Sequence, residues 1–217
     1  MNSTRSFYSV LITLIILIYL SGCGPSTKVT GYWKEYPDKS LYFEKIGIIG
    51  ISKNANARKA VENHLDVFLT DQGFNTVGGF AFLPPQATEE NLTLEILLKL
   101  LETEKVDAVL TVSLLRVQDS KQYVSGNYYY YPWTEAPFND YYGQMRNYLY
   151  APGYSIESRS YFLESNLYSF PEGELIWSAQ TKSTNINDPE KGAKEVARAI
   201  VRNLLTSKTI TPVKEQE

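Results

Sequence analysis

The sequence feature that most constrains the fold is an alternation of strand-like and helix-like segments between residues 45 and 115. Residues 45–51 are a continuous apolar, β-branched run, which is typical of a strand covered on both faces. The spacing predicts an amphipathic helix over 57–71, a weaker strand over 75–80, a second helix through 94–101 and a second buried strand over 108–115. Strands that alternate with helices in this way predict a mostly parallel sheet.

The second half of the chain predicts an antiparallel addition to that sheet. Residues 158–170 and 174–184 flank a Pro-Glu-Gly turn, which indicates a hairpin. Asp188 as N-cap and Pro189 at the first helical position then predict a C-terminal helix, and Thr88 is the expected cap of the second helix. We therefore expect a single α/β domain with a mixed sheet, ordered β-α-β-α-β, then an antiparallel hairpin, then a C-terminal helix, with the helices packed on the sheet.

Several of these segments carry a family resemblance. The strand 45–51, the segment 106–110, the hairpin 167–179 and the Ala-rich final helix resemble uncharacterised bacterial lipoproteins related to the curli-secretion-channel subunit and to TolB amino-terminal domains. The resemblance covers roughly residues 44–205. It implies an envelope protein that works by contact, with no catalytic residues to carry over, and it allows assembly into a ring of identical copies. A long tyrosine-rich insertion departs from the plain pattern.

The amino terminus predicts a lipid anchor. Arg5 precedes an apolar run over 10–20, and Leu20-Ser21-Gly22-Cys23 resembles the lipobox of bacterial lipoproteins, in which the cysteine is acylated with palmitate-type chains after the signal peptide 1–22 is removed. The apolar run is shorter than the ~20 residues of a transmembrane span. The alternatives are an uncleaved anchor helix and a buried structural cysteine.

The lipobox also sets the expected location and division of the chain. Gly24 stands where the family's inner-membrane retention signal has an aspartate, so we expect anchoring to the periplasmic face of the outer membrane. We predict a lipid-anchored tether over 23–43, an α/β domain over 44–207 with a tyrosine-rich insertion over 124–154, and a flexible tail over 208–217.

Composition excludes several classes of function. The formal net charge is −3 and no cluster of Lys and Arg is present, so nucleic acid is not an expected partner. Cys23 is the only cysteine, and once acylated it leaves no thiol for a disulfide or a cysteine metal site. We expect no metal and no cofactor.

The most distinctive stretch is the tyrosine-rich insertion. Its rings stand among Pro, Gly and Asn with neither helical nor strand periodicity, and they suit binding to a sugar ring or a partner protein, because Tyr and Trp combine a large stiff face with a polar edge. The candidate binding residues are Tyr128, Tyr129, Tyr130, Tyr131, Trp133, Tyr141 and Tyr142. The alternatives are rings packed on their own domain, a protruding hairpin that extends the flanking strands, and disorder.

A weaker candidate is an anion site after the first strand. Lys53 and Arg58 flank the loop that opens the first helix, where backbone amides point into the same space. The loop lacks a glycine-rich phosphate fingerprint. The alternative is a polar loop in which Arg58 pairs with Glu62 along the helix.

Catalytic arrangements find little support in the sequence. His64 is the only histidine, and we expect it to be a solvated or half-buried helix residue. Carboxylates of a glycan hydrolase would have to come from a set that the sequence does not bring together, namely Glu157, Glu164, Glu172 and Glu174. The basic residues of the final helix predict a charged solvent face, with contact to anionic lipid as the alternative.

Together these observations predict a membrane-anchored envelope lipoprotein that is not an enzyme. It would bind a partner protein or a cell-wall glycan such as peptidoglycan through the tyrosine-rich insertion. The alternatives are a self-assembling subunit of an envelope complex and a carboxylate-dependent glycan hydrolase.

Overall fold

The computed structural model describes residues 26–83, 92–124, 146, 153–186 and 188–212. The strands are β1 (Ser26–Lys34), β2 (Leu41–Tyr42), β3 (Ile46–Ile51), β4 (Thr76–Gly78), β5 (Ala108–Val124), β6 (Tyr154–Ser169), β7 (Leu175–Thr184) and β8 (Ile210–Thr211). The helices are α1 (Ala55–Asp71), α2 (Gly79–Phe82), α3 (Leu94–Thr103) and α4 (Pro189–Thr206).

Six of the strands form one mixed sheet in the order β1-β7-β6-β5-β3-β4. β3 lies between β4 and β5 and is parallel to both, whereas β5, β6, β7 and β1 pair antiparallel in succession. The sheet therefore joins a parallel half to an antiparallel half, and this confirms the α/β fold with a mixed sheet that the sequence predicts.

Helices cover both faces of the sheet. On one face α1 and α4 pack on the strands, and their side chains Leu65 and Ile200 share a buried core with Ile48, Leu110 and Trp177. On the other face Leu101 of α3 packs with Ile49 and Val109 in a smaller core. Consecutive β5 residues thus point into different cores, which is why residues 108–110 read as a continuous apolar run.

The helix boundaries follow local hydrogen bonds. Asp188 accepts a hydrogen bond from the Glu190 amide (3.0 Å) and Pro189 opens α4, as predicted. Thr93, and not Thr88, caps α3, because the Thr93 hydroxyl directly precedes the first helical residue and accepts from the Ile96 amide at 3.3 Å.

The strand predicted over 75–80 is shorter in the structure. β4 ends at Gly78, and the next four residues turn into the short helix α2. The cause is a buried carboxylate, since Glu62 accepts a hydrogen bond from the Phe80 amide at 2.7 Å and so draws the backbone away from the sheet.

Both ends of the domain correct the predicted boundaries. Residues 26–34 were expected in the tether 23–43, but they form the edge strand β1, with Val29 packed on the core. Ile210 was expected in the flexible tail 208–217, but it is buried and β8 pairs in parallel with β2. The apolar residues Val29 and Ile210 explain both corrections, because each buries a side chain that a free tether or tail would leave in water.

Candidate functional site: an exposed two-stranded arm

The most unusual part of the molecule is the extension of β5 and β6 beyond the rest of the sheet. β3 ends at Ile51, opposite Ser113 of β5, and β7 ends at Thr184, opposite Ser160 of β6. The two central strands continue past these ends and remain paired up to Val124 and Tyr154. We call residues 114–124 and 154–159 the arm.

The sequence of β5 changes character where the arm begins. The strand is buried at 108–110 and again at Val112, whereas every residue from Leu114 to Tyr123 is exposed. A bulge interrupts the pairing between Leu114 and Arg116, so that Leu115 has no cross-strand partner. The arm is consequently a ribbon in water that is supported mainly by the pairing of its own two strands.

Large apolar side chains remain exposed along this ribbon. Near its end, Tyr123 is 66 % and Tyr154 60 % exposed. Leu115, Val117 and Ile156 are also largely exposed. Apolar side chains grouped on one projecting element, rather than scattered singly, are typical of a contact surface.

One face of the arm carries two cross-strand ion pairs. Arg159 donates two hydrogen bonds to Asp119, from Nε to Oδ1 (2.6 Å) and from Nη2 to Oδ2 (3.0 Å). Lys121 lies 3.0 Å from Glu157 in the next row. The hydrogen bonds from Arg159 lower the pKa of Asp119, so Asp119 stays ionised at neutral pH. The signs alternate, so this face is charged but close to neutral overall.

The opposite face of the arm carries fewer charged side chains. At the base of the arm, Arg116 lies over the ring of Phe162, with its guanidinium carbon 4.1 Å from the ring centroid. Farther along, the hydroxyl oxygens of Ser120 and Ser158 are 2.7 Å apart. The two faces therefore offer different chemistry along the same pair of strands.

The predicted binding residues of the insertion lie outside the described residues. This applies to Tyr128, Tyr129, Tyr130, Tyr131, Trp133, Tyr141 and Tyr142. The structure does describe both flanks of the segment, Val124 at the end of β5 and Tyr154 at the start of β6. These flanks are paired with each other, so the flanking strands do extend into a protruding hairpin, and the tyrosine-rich segment connects its two ends.

The residues of the predicted anion site do not converge. Lys53 is exposed in the loop before α1, whereas Arg58 is mostly buried and lies 3.9 Å from Glu62. A cavity of about 220 Å³ adjoins Arg58, and its walls are mainly apolar, with Val61, Leu114 and Pro189 among them. The carboxylate of Glu62 faces Arg58 at this distance, but among the described residues Arg58 Nε has no hydrogen-bond partner, and anion binding there stays a prediction.

Sequence reasoning missed the role of Glu62. We expected a weak surface pair with Arg58, but Glu62 is 0 % exposed and accepts hydrogen bonds from the amides of Gly50 (2.8 Å) and Phe80 (2.7 Å). Burial raises its pKa, while these hydrogen bonds and Arg58 act in the opposite direction. The sequence signal for this close contact between strand and helix was the glycine at position 50. Only a residue without a side chain leaves room there, because a Cβ would lie 2.7 Å from Arg58 Cγ.

The other candidate residues have structural partners. His64 is half-buried, as expected, and its Nε2 lies 2.7 Å from Glu190, which links α1 to α4. Glu174 accepts a hydrogen bond from the hydroxyl of Tyr36 (2.6 Å), and Glu164 accepts one from Asn166 (3.1 Å). Within the described ranges, no three His, Cys, Asp or Glu side chains are grouped closely enough to hold a metal ion.

The basic residues of α4 lie on its solvent side. Lys191, Lys194 and Arg202 are exposed, and Arg198 pairs with Glu195 and lies over the ring of Phe68. Among the helices that the structure describes, none has the length and apolar character needed to cross a bilayer.

Comparison with known proteins gives similarities of fold only. No protein-family model and no curated protein matches the sequence. Among solved structures, the chain is similar to the PelC dodecamer from Paraburkholderia phytofirmans, with 11 % identity, 87 % of this chain and 99 % of that chain covered, and a TM-score of 0.42. It is also similar to the lipoprotein GNA1162 from Neisseria meningitidis, with 14 % identity, 75 % and 98 % covered, and a TM-score of 0.40. At these scores neither similarity supports an argument about function.

Proposed function

We propose that this chain is a lipid-anchored protein of the bacterial cell envelope that works by contact, as a non-enzymatic binding or assembly module. The observation that carries the proposal is the arm. It holds 11 residues of β5 and 6 of β6 beyond the ends of the neighbouring strands β3 and β7, and it exposes large apolar side chains on them.

The energetics of the arm explain why it suits contact with a partner. A two-stranded ribbon is at best marginally stable in water, because it lacks a third strand and a covered face. Leu115, Tyr123 and Tyr154 leave apolar surface in contact with solvent, and covering that surface would stabilise the ribbon by roughly 25 cal/mol per Å². A partner that binds the arm supplies this cover.

The lipid anchor determines where that contact takes place. The sequence Leu20-Ser21-Gly22-Cys23 places the acylated residue three positions before β1. Each buried methylene contributes about 0.8 kcal/mol, so two or three acyl chains hold a protein to a membrane durably. With Gly24 after the cysteine, the proposed location is the periplasmic face of the outer membrane, where partner proteins and peptidoglycan are both within reach.

Cross-linking in intact envelopes tests the contact. The full-length protein is compared with a variant lacking residues 118–159, which removes the insertion and most of the arm, and captured material is identified by mass spectrometry. We expect the deletion to remove a captured protein or peptidoglycan fragment. If the folded deletion variant keeps every contact, the proposed role of the arm and its insertion is wrong.

Metabolic labelling with a palmitate analogue tests the anchor independently. The wild type should incorporate the label and sediment with outer-membrane vesicles, whereas Cys23→Ser should lose the label. Ser21→Ala serves as the matched control, because it changes a neighbouring residue and leaves the acylated thiol in place. Label retained in Cys23→Ser would overturn the lipid anchor.

A further inference from the structure

The arm has an unpaired outer edge. Up to Ser113, β5 is hydrogen-bonded to β3 on one side and to β6 on the other. From Leu114 to Val124 only β6 is its neighbour among the described strands, so the peptide groups on the other side have no strand partner there. An open edge of this length is a template for pairing with another strand.

The sequence along this edge is self-complementary about Ser120. If two copies of β5 are placed antiparallel with Ser120 opposite Ser120 of the second copy, Asp119 stands opposite Lys121. In the same alignment Gln118 stands opposite Gln122, and Val117 opposite Tyr123. Opposite charges, paired amides and an aliphatic-aromatic pair are all favourable cross-strand neighbours.

The ion pairs already present within each arm extend this complementarity. Arg159 pairs with Asp119, and Lys121 pairs with Glu157, on the same face of the arm. In the four-stranded arrangement each row across the sheet would read Arg159, Asp119, then Lys121 and Glu157 of the second copy. The charges alternate through the whole row, and the two-fold axis generates a second identical row.

We propose that the arm binds the arm of a second copy of this chain, through antiparallel pairing of the two β5 edges centred on Ser120. The result is a dimer with a continuous four-stranded sheet, ordered β6-β5-β5-β6. This proposal rests on the proposed function, because it identifies the partner of the same contact surface.

The charges also select the register. Moving one β5 edge by two residues keeps the faces matched but places Asp119 opposite Asp119, or Lys121 opposite Lys121. Like charges directly opposite each other destabilise a strand pair. Of these registers, only the one centred on Ser120 places Asp119 of each edge opposite Lys121 of the other.

A cysteine placed at the two-fold axis tests the pairing directly. Directly opposite Cα atoms in antiparallel strands are about 4.5–5.5 Å apart, within the range that a disulfide spans. Full-length Ser120→Cys, oxidised with copper phenanthroline in intact envelopes, should therefore form a covalent dimer of twice the monomer mass.

Ser158→Cys is the matched control. Ser158 faces Ser120 across the arm, and either substitution breaks the same hydroxyl contact. In the proposed dimer the two copies of position 158 are three strand spacings apart, about 14 Å, which no disulfide spans. The wild type, with Cys23 alone, should also stay monomeric on a denaturing gel.

Mixing two charge variants provides a second test that needs no disulfide. Asp119→Lys places Lys opposite Lys in a homodimer, and Lys121→Asp places Asp opposite Asp. Each variant alone should be monomeric in mild detergent, whereas an equimolar mixture should form heterodimers, since both cross-copy pairs are then of opposite charge. Any loss of stability within one arm is the same whether a variant is alone or in the mixture. A difference in dimer formation between these two samples therefore reports on the interface.

The outcomes separate the two proposals. A Ser120→Cys dimer together with heterodimers in the mixture supports arm-to-arm pairing. If neither forms, pairing with a second copy is overturned, and the proposed function still stands when deletion of residues 118–159 removes another captured partner. If the deletion also changes no contact, both proposals fail. A Ser158→Cys dimer as strong as the Ser120→Cys dimer would overturn the pairing too.

Discussion

The two halves of β5 differ although they belong to one strand. Between Ala108 and Val112 the strand has a neighbour on each side and helices on both faces, whereas beyond Leu114 it has one neighbouring strand and is exposed. Backbone pairing with β6 is continuous through both halves except at the bulge. Strand geometry is therefore set by backbone pairing, whereas the stability of each half depends on what covers its side chains.

Two leucines of β5 test most directly whether the two halves of the strand differ in packing. Leu110 is fully buried in the main core, whereas Leu115 is exposed at the bulge. We expect Leu110→Ala to lower the free energy of unfolding by about 2–5 kcal/mol, because it leaves a cavity in a packed core. Leu115→Ala should change it by less than about 0.5 kcal/mol. Urea unfolding followed by circular dichroism measures both, and equal losses would show that the arm is as tightly packed as the body.

The next effect concerns two carboxylates in the same two regions. Glu62→Gln should cost about 1–3 kcal/mol, because the new amide NH₂ would face a backbone N–H that now donates to Glu62. Glu157→Gln removes an exposed ion pair with Lys121 and should cost roughly 0–1 kcal/mol. The same unfolding measurement compares them. A loss for Glu157→Gln that matches the loss for Glu62→Gln would contradict the distinction between body and arm.

The pH dependence of the free energy of unfolding tests the raised pKa of Glu62. Its pKa is raised in the folded state by burial, so folding favours the protonated form. This contribution is fully present below the ordinary pKa of a glutamate and is lost as the pH rises through the raised pKa of Glu62. The stability difference between the wild type and Glu62→Gln should therefore narrow as the pH rises over that range. If the stability difference widened instead, the hydrogen bonds to Glu62 would have a larger effect on its pKa than burial has.

The smallest expected effect is steric and compares two strand glycines. A Cβ at Gly50 would lie 2.7 Å from Arg58 Cγ and 3.3 Å from the Glu62 carboxylate, so Gly50→Ala should cost toward the lower end of about 1–3 kcal/mol. A Cβ at Gly31 of the exposed strand β1 meets nothing within 4 Å. Gly31→Ala should leave the unfolding midpoint unchanged or slightly raised. Equal effects at both positions would contradict the close packing around Gly50.

The sequence predicted the body of the fold well because its signals are local. The apolar run at 45–51, the turn at Pro171 to Gly173, and the cap formed by Asp188 with Pro189 each act within a few residues, and the structure confirms all three. The edge strand β1 was not predicted, because its pairing with β7 joins residues about 150 positions apart. Its Thr, Gly and Lys residues also resemble a linker.

The candidate site was only partly predictable for the same reason. The sequence indicated the tyrosine-rich insertion and allowed a hairpin, but β5 runs nine residues beyond the predicted end at 115. Residues 116–124 are mostly polar and lack a buried face, so no hydrophobic pattern marks them as a strand. Their strand geometry comes from pairing with β6, which is a tertiary property.

The position of β1 has a consequence for orientation at the membrane. Ser26, at the start of β1, stands opposite Thr184, which in turn stands opposite Ser160 at the base of the free end of the arm. With Cys23 acylated, the three residues up to Ser26 span at most about 11 Å. From Ser160 to Tyr154 the arm extends farther, about 20 Å. In the proposed lipid-anchored form, this connection is shorter than the arm, so the strands would lie along the bilayer surface unless the tip of the arm enters the headgroups. Copies anchored in one leaflet, as proposed, would meet by diffusion in a plane, where their local concentration is higher than in free solution.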